Sequence, residues 1–236
     1  MDFFIRSWFY WPADTGQDAA LSEPAAPVYH WPELPQVPAM QRRRLSPLTK
    51  IAFHTAFSQT ISNTTPLVFA SRHGDLHKTL ELLRDVATQQ PLSPTQFALS
   101  VHNAIAGQYS IFSQHQAEHS SVAAGDSSLH YALLEAFAML QAADCPDVLV
   151  VYADQPVPEV YQCFTAQPAA PVAMALLLSN EQGLAVTLQH QPVTAVPVVD
   201  EARALQAFLQ SDAPSCSIPT SRISWQWQRR VHVAAA

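Results

Sequence analysis

Two short clusters of polar residues have the types and the spacing that chemistry requires. The first, from His115 to His119, reads His-Gln-Ala-Glu-His and matches the H-x-x-E-H pattern of a class of zinc peptidases. On a helix, two histidines four residues apart share one face and can bind Zn²⁺, with Glu118 as the base. The stretch, however, follows an apolar helix by only three residues and leads into a strand candidate. This context favours a polar helix end or a loop over a metal site.

The second cluster is Gly125-Asp126-Ser127-Ser128, between a strand candidate and a helix. A serine there, Ser127 or Ser128, could be the nucleophile of an acyltransferase or hydrolase. That chemistry needs a histidine base that an acid orients. The late histidine, His232, has Arg229 three residues before it instead of an acid. A glycine turn followed by a helix cap accounts for the same four residues.

The elements that position these clusters alternate between strands and helices. Short apolar runs predict the strands, and recurrence every three or four residues predicts the helices. Ser93-Pro94 is typical of an N-cap with proline at the first helical position, and the pattern then continues to Phe112 as one helix. This order predicts an α/β layered sheet. The strand candidates are Phe3–Trp11, Pro66–Ala70, Ser120–Ala124, Val148–Tyr152, Pro171–Ser179 and Leu184–Gln189.

Composition limits the function classes. The 236 residues are 48% apolar and only 13% charged, which predicts a sizeable core and either a surface partly covered by another chain or one that Gln, Ser, Thr and His solvate. A net charge of −7 argues against nucleic acid as the main partner. The three cysteines lie far apart, so we expect no disulfide framework and a cytoplasmic location. The apolar stretch near the N-terminus is too short to span a membrane.

A single domain over residues 1–236 is the simplest organisation. Residues 12–40 are rich in Pro, Ala, Asp and Glu, which indicates a long surface excursion. From about residue 210 the chain reads as a C-terminal tail, which carries Trp225 and Trp227. We expect this tail to dock on the sheet.

The segment from Ser93 to Tyr152 resembles the N-terminal half of β-ketoacyl synthases. The similarity rests on the order of several matches rather than on any one of them, and it extends more loosely over residues 3–190. Within the family, the chain looks closest to truncated, chain-length-factor-like subunits of aryl polyene clusters, which share the motifs at Arg42–Ser46 and Ser71–Gly74. The matching positions are Ser93-Pro94, Asn103, Ala106-Gly107, Ser120–Ala124, Gly125-Asp126, Leu129–Ala143 and Val148–Tyr152.

This resemblance implies a thiolase-like half with a mixed five-stranded sheet flanked by helices. It also implies the loss of catalysis, because the family's nucleophilic cysteine aligns with Gly125 or Asp126, and neither can form a thioester. Cys145 lies some 20 residues along and cannot substitute for it. The histidine segments of the family's C-terminal half have no counterpart in this sequence.

The function that the resemblance implies is a non-catalytic chain-length-factor subunit. It would form a heterodimer with a full-length β-ketoacyl synthase, shape that partner's tunnel, and act on acyl chains held by an acyl carrier protein. No cofactor or metal is expected. The alternatives are a serine acyltransferase or hydrolase and, with less support, a zinc peptidase. The implied interface residues are Asn103, Ser120, Ser121, Val122 and Ala123, and the implied tunnel residues are Val101, Ala104, Gln108 and Phe112.

Overall fold

A computed structural model describes residues 1–12, 29–142, 146–165, 170–193 and 195–230. The strands in these ranges are β1 (Asp2–Pro12), β2 (Leu67–Ala70), β3 (His119–Val122), β4 (Asp147–Asp154), β5 (Val172–Ser179), β6 (Leu184–Pro192), β7 (Ser215–Pro219) and β8 (Ile223–Arg229). The helices are α1 (Ala39–Arg42), α2 (Pro47–Phe57), α3 (Leu76–Ala87), α4 (Pro94–Ser100), α5 (Ala104–Ser113), α6 (Ser128–Ala142) and α7 (Glu201–Gln210). Two 3₁₀ segments, Gly125–Ser127 and Glu159–Phe164, follow β3 and β4.

All the described strands join one mixed sheet in the order β3-β2-β4-β5-β1-β6-β8-β7. Strands β3, β2 and β4 are parallel, whereas every other neighbouring pair is antiparallel. The layered α/β prediction is confirmed, but the predicted count of five strands is wrong, because the sheet has eight. A parallel block therefore sits at one end and an antiparallel extension at the other.

The predicted C-terminal tail is also wrong, since it forms β7 and β8 of the same sheet. Trp225 and Trp227 are buried, while the alternate residues Gln226 and Gln228 face away from the core. This period of two is the mark of a strand with one buried face. Because every second residue of this segment is polar, its sequence suggested an exposed tail and not a strand.

The centre of the sheet is covered on both faces, as the continuous apolar runs of β4 and β5 predict. Every residue of β5 is buried, and so is every residue of β4 after Asp147. One core layer packs under α6 and α7, and the other packs under α2 and α5. The helices therefore lie on both faces of the parallel block.

The helix predicted from Ser93 to Phe112 is two helices, α4 and α5. Ser93 does cap α4, because its side chain accepts a hydrogen bond from Gln96 N. Val101 is extended, with φ −70° and ψ 148°, and ends the helix. His102 holds the break through a hydrogen bond of 3.0 Å between its Nε2 and the carbonyl oxygen of Val122. A contact with the end of β3 thus overrides the local periodicity.

The excursion predicted at residues 12–40 is described only in part. Residues 13–28 lie outside the described residues, as do Cys145 and His232. The remainder is anchored, because Leu34 and Val37 are buried against α2 and residues Ala39–Arg42 form α1. No helix within the described ranges is long and apolar enough to cross a membrane.

Candidate functional site

A sharp turn joins β3 to α6. Gly125 has φ +60°, in the left-handed region that glycine adopts without strain. The 3₁₀ segment Gly125–Ser127 follows, and α6 begins at Ser128. The turn therefore places Asp126 just before the N-terminus of a fifteen-residue helix that is mostly buried on its sheet side. We call Ala124–Ser128 the elbow.

The carboxylate of Asp126 is bound by the loop between β7 and β8. Its Oδ2 accepts a hydrogen bond of 2.6 Å from Ser221 N, and its Oδ1 accepts one of 3.0 Å from Ser221 Oγ. Both oxygens of the side chain are therefore engaged by one residue. Asp126 anchors the tip of the C-terminal hairpin, defined here as Thr220–Arg222.

The hydroxyls of both candidate serines are engaged in structural bonds. Ser127 Oγ lies 2.7 Å from Thr220 Oγ1 and accepts a hydrogen bond of 3.3 Å from Trp225 Nε1. Ser128 Oγ donates to Gly125 O at 2.7 Å and accepts from Ala124 N at 2.9 Å. Among the described residues no histidine is bonded to either hydroxyl, so the arrangement gives no support to a serine nucleophile.

A buried histidine, His130, also lies in the first turn of α6. His130 Nδ1 is 2.6 Å from Glu201 Oε2, and both side chains are fully buried. Trp227 Nε1 donates a hydrogen bond of 3.1 Å to His130 Nε2. Because Nε2 accepts this hydrogen bond, Nδ1 is the nitrogen that donates to Glu201. With both nitrogens occupied, this histidine is not placed to act as a base in the cleft.

Glu201 connects this pair to the start of α6. Its Oε1 accepts a hydrogen bond of 2.7 Å from Leu129 N, so the first residue of α7 caps the first turn of another helix. The His130 ring stacks on Trp225, with ring centroids 5.0 Å apart. The start of α6, the start of α7 and strand β8 are thus fixed to one another by buried polar contacts.

A second buried polar group lies at the ends of β2 and β4. Asp154 Oδ1 accepts hydrogen bonds from Ser71 Oγ and Arg72 N, and its Oδ2 accepts one from Tyr152 Oη. Arg72 also donates to Val199 O at 2.7 Å. Burial raises the pKa of Asp154 to about 6, although the charge of Arg72 and these hydrogen bonds act in the opposite direction.

A cleft of about 540 Å³ lies beside the elbow, within the size range of small-molecule sites. One wall is the hairpin tip, and another is the loop after β2. Phe164, from the 3₁₀ segment after β4, lies at its mouth and is exposed. The lining residues are Arg72, His73, Ala124, Gly125, Asp126, Ser127, Tyr131, Phe164, Thr165, Ser221, Arg222 and Ile223.

The zinc motif lies on the connection between α5 and β3 rather than on a helix. His115 is buried, whereas Glu118 and His119 are exposed. The two histidines therefore share no helix face. Among the described residues no group of three or more His, Cys, Asp or Glu is arranged to hold a metal ion. The structure gives no support to the peptidase hypothesis.

Comparison with known proteins identifies the fold and the family. A family model described as the N-terminal domain of β-ketoacyl synthases matches residues 8–228. The chain belongs to the β-ketoacyl synthase family. No curated protein matches it significantly.

Solved structures place this family member among ketosynthases and chain length factors. A chain of the complex of the ketosynthase ApeO with its chain length factor ApeC, from Xenorhabdus doucetiae, is 25% identical, with a TM-score of 0.80 over 97% of this chain and 100% of that chain. The ishigamide ketosynthase/chain length factor is 17% identical, with a TM-score of 0.54 over 63% of this chain and 49% of its own. A β-ketoacyl synthase from Burkholderia phymatum STM815 is 12% identical, with a TM-score of 0.53 over 80% and 56%. The chain therefore spans about half the length of the last two proteins.

The predicted interface residues of this synthase-family chain do gather at one place. Strand β3 is the edge of the sheet, so Ser120, Ser121 and Val122 lie on that edge, with Ala123 exposed after them. Asn103 is exposed at the start of α5, the helix that precedes β3. Their role in binding stays a prediction.

The predicted tunnel residues do not form one stripe, because the helix is broken. Val101 lies in the break, and Phe112 packs inward against Phe53, with ring centroids 5.9 Å apart. Ala104 and Gln108 do lie on one outer face of α5, and Gln108 Nε2 donates to Ala104 O at 3.2 Å. Ile111, which the sequence reasoning missed, continues that face and is 75% exposed.

Sequence reasoning also missed Glu201, Thr220 and Ser221, which hold the elbow. Asp200-Glu201 before an apolar periodic run is the signal of a helix start, and it could have located a cap. No local signal connects Ser221 to Asp126, because the two lie 95 positions apart in the chain.

Proposed function

We propose that this chain is a non-catalytic chain-length-factor subunit that binds an active ketosynthase and closes part of its acyl tunnel. The observation that carries the proposal is Asp126, an acid engaged through both oxygens, at the turn where the family has its cysteine. An aspartate in this position cannot form the acyl thioester that condensation requires.

Other groups near the elbow do not replace the cysteine. Cys163 is exposed on the 3₁₀ segment Glu159–Phe164 and is not among the residues that line the cleft. The side chains of His130 and Glu201 are fully buried. Their remaining polar atoms accept hydrogen bonds from Trp227 Nε1 and Leu129 N. The family also requires hydrogen-bond donors that stabilise an oxyanion next to the thiolate. Without a thiolate at the elbow, such donors have no acyl thioester to act on.

The free edge of β3 supports the assembly. Glu118 and Val122 turn their carbonyl groups toward β2, where they accept from Leu67 N and Ser71 N. Because a strand alternates with a period of two, the backbone groups of His119 and Ser121 point away from β2. A partner strand can pair there, as exposed sheet edges allow. The Ser121 hydroxyl is buried and has no hydrogen-bond partner among the described residues.

The helices beside this edge expose more apolar surface than a solvated face needs. Helix α4 has no buried residue, and Phe97 on it is 60% exposed. Exposed apolar patches of this kind mark protein interfaces. The exposed apolar side chains of α3, α4, α5 and their connections are Leu83, Val86, Leu92, Phe97, Val101 and Ile111.

The similarity to the complex of ApeO with ApeC supports a ketosynthase as the partner. In the proposed complex, the outer face of α5, with Ala104, Gln108 and Ile111, lies against the partner and limits the length of its acyl chain. The acyl chains would be carried by an acyl carrier protein, and for an aryl polyene they would be conjugated.

The test is co-purification with a full-length ketosynthase from the same organism, using two variants of one residue. Ser121→Pro removes an outward N–H and leaves the bonds to β2 in place, whereas Ser121→Ala keeps the backbone donor. We expect Ser121→Ala to co-elute with the ketosynthase in gel filtration and Ser121→Pro to elute apart from it. Wild-type chain that stays a well-folded monomer beside the ketosynthase would refute the proposal.

A further inference from the structure

The hairpin formed by β7 and β8 contacts the elbow through its tip and through Trp225 of β8. Strand β7 is the outer edge of the sheet, and β8 is its neighbour within the sheet. At the tip, Asp126 holds Ser221 by two hydrogen bonds, and Ser127 holds Thr220 by one. We call these four residues the clasp.

The hydroxyl of Ser127 is fully committed within the clasp. Thr220 Oγ1 donates to Ile223 O at 2.8 Å, so the Ser127 hydroxyl donates to Thr220 Oγ1 while its lone pair accepts from Trp225 Nε1. Ser127 and Thr220 are buried, whereas Ser221 and Arg222 are exposed. The clasp therefore has a buried pair, Ser127 and Thr220, and a more exposed pair, in which Asp126 is bonded to Ser221.

The position of the hairpin tip determines which residues form one wall of the cleft. Ser221, Arg222 and Ile223 line the cleft, opposite Arg72 and His73. With the tip released, this wall would move and Ser127 would meet solvent. The position of the tip thus controls access to the elbow.

We propose that Asp126 is a positioning residue that holds the C-terminal hairpin closed over the elbow, so that the lost nucleophile position has become the receptor for this chain's own hairpin. The clasp is intramolecular, and it stands whether or not the partner is a ketosynthase. It also means that restoring a thiol by Asp126→Cys removes the bonds that shape the cleft.

Trypsin gives a direct readout, because the tip carries its own cleavage site. A protease needs an extended segment, so cleavage after Arg222 requires the tip to leave the clasp. Arg203, exposed on α7, is an internal reference in the same digest. Mass spectrometry of the fragments over time gives both rates from one sample of the full chain, alone or with its partner.

Asp126→Ala should raise the cleavage rate after Arg222 at least tenfold and leave the rate after Arg203 unchanged. Ser221→Ala, which keeps the bond from its backbone N–H, should give a smaller rise, and Asp126→Asn, which keeps an acceptor, should do the same. Asp212→Ala is the matched control, because Asp212 is exposed before β7, away from the tip. It should change neither rate.

Equal cleavage after Arg222 in wild type, Asp126→Ala and Ser221→Ala would overturn the proposal. If Asp126→Ala raises cleavage after Arg203 as well, the variant has lost its global fold. The test of the clasp then rests on Ser221→Ala. A rise confined to Arg222 in Ser221→Ala supports the clasp, and no rise there overturns it. If the heterodimer does not form in gel filtration, these cleavage rates in the chain alone are unaffected. The proposal on the clasp and the proposal on the heterodimer can therefore be refuted independently.

Discussion

The start of α6 and strand β3 are neighbours in the chain, yet their surroundings are opposite. At the start of α6, Asp126, Ser127 and His130 bond to distant segments of the same chain, and Ser128 bonds within the elbow. At β3, the outer backbone groups face no strand of the described residues, and the adjoining helices expose large apolar side chains. The place where the family performs chemistry is closed by internal contacts, while the place where a partner can pair is left open.

The difference teaches how the proposed loss of catalysis can leave the fold intact. A polar group buried at a vacated active site is costly unless it is bonded. Here the C-terminal hairpin and α7 supply those bonds, through Ser221, Trp227 and Glu201. The open edge is kept because a partner chain, and not this one, is proposed to cover it.

The largest expected effect comes from breaking the closed region. His130→Ala removes a fully buried ring and leaves Glu201 Oε2 and Trp227 Nε1 without their hydrogen-bond partner, which costs roughly 3–5 kcal/mol of unfolding free energy. Urea unfolding measures it, and Gln141→Ala, at an exposed position of the same helix, is the control, expected within about 0.5 kcal/mol. A loss below about 1 kcal/mol for His130→Ala would show that the network does not stabilise this end.

The pH dependence of the buried group around Asp154, at the ends of β2 and β4, comes next. Burial raises the pKa of Asp154 from 3.8 to about 6, so the folded state holds the proton more tightly than the unfolded state between these values. The contribution of Asp154 to stability is therefore greatest at low pH and declines as pH rises through 6, by roughly 1–3 kcal/mol. Asp154→Asn should lack this decline. Parallel stability curves for wild type and Asp154→Asn between pH 4 and 7 would contradict the assignment.

A smaller effect is expected at the open region. Ile111→Ser should leave the unfolding free energy of the chain within about 0.5 kcal/mol of wild type, because the side chain is exposed. Its affinity for the ketosynthase should fall about tenfold, equivalent to about 1.4 kcal/mol, which calorimetry can measure. Val196→Ser is the matched control, since Val196 is also exposed but lies before α7. Equal affinities for the two variants would place the interface elsewhere.

The smallest change is one of product length alone. Ala104→Phe adds volume to the outer face of α5, where the proposed tunnel ends. Because the tunnel is then shorter, the growing acyl chain can bury fewer carbon units in it. We expect the heterodimer to form normally and to make shorter polyenes, with absorption at shorter wavelength. Ala138→Phe, exposed on α6, is the control. Unchanged product lengths with Ala104 and Gln108 enlarged in turn would mean that α5 does not limit the chain.

The sequence predicts the parts of this structure that local patterns determine. The runs at Val148–Tyr152 and Pro171–Ser179 are continuous and apolar, and they are the buried central strands. The interface role of Ser120–Ala123 came from the family resemblance rather than from the residues themselves, and it stays a prediction. The alignment of the family's cysteine with Gly125 or Asp126 likewise stays a prediction.

The parts that failed depend on contacts between distant residues. The break between α4 and α5 is held by His102, which bonds to Val122, twenty positions away. Asp126 meets Ser221 only because β7 and β8 return to the elbow. The alternation of Trp225 and Trp227 with glutamines hid a strand inside a polar segment. Pattern reasoning sees a period or a cap, but not which distant segment will supply a hydrogen bond.

The central claim is that this chain assists condensation without performing it. Intact-mass spectrometry tests it most directly, on the complex with the ketosynthase after incubation with acyl and malonyl carrier proteins. The account predicts an acyl adduct on the ketosynthase and none on this chain, whose elbow offers Asp126 and two bonded serines. An acyl adduct on this chain, or a ketoacyl product made by this chain alone, would contradict it.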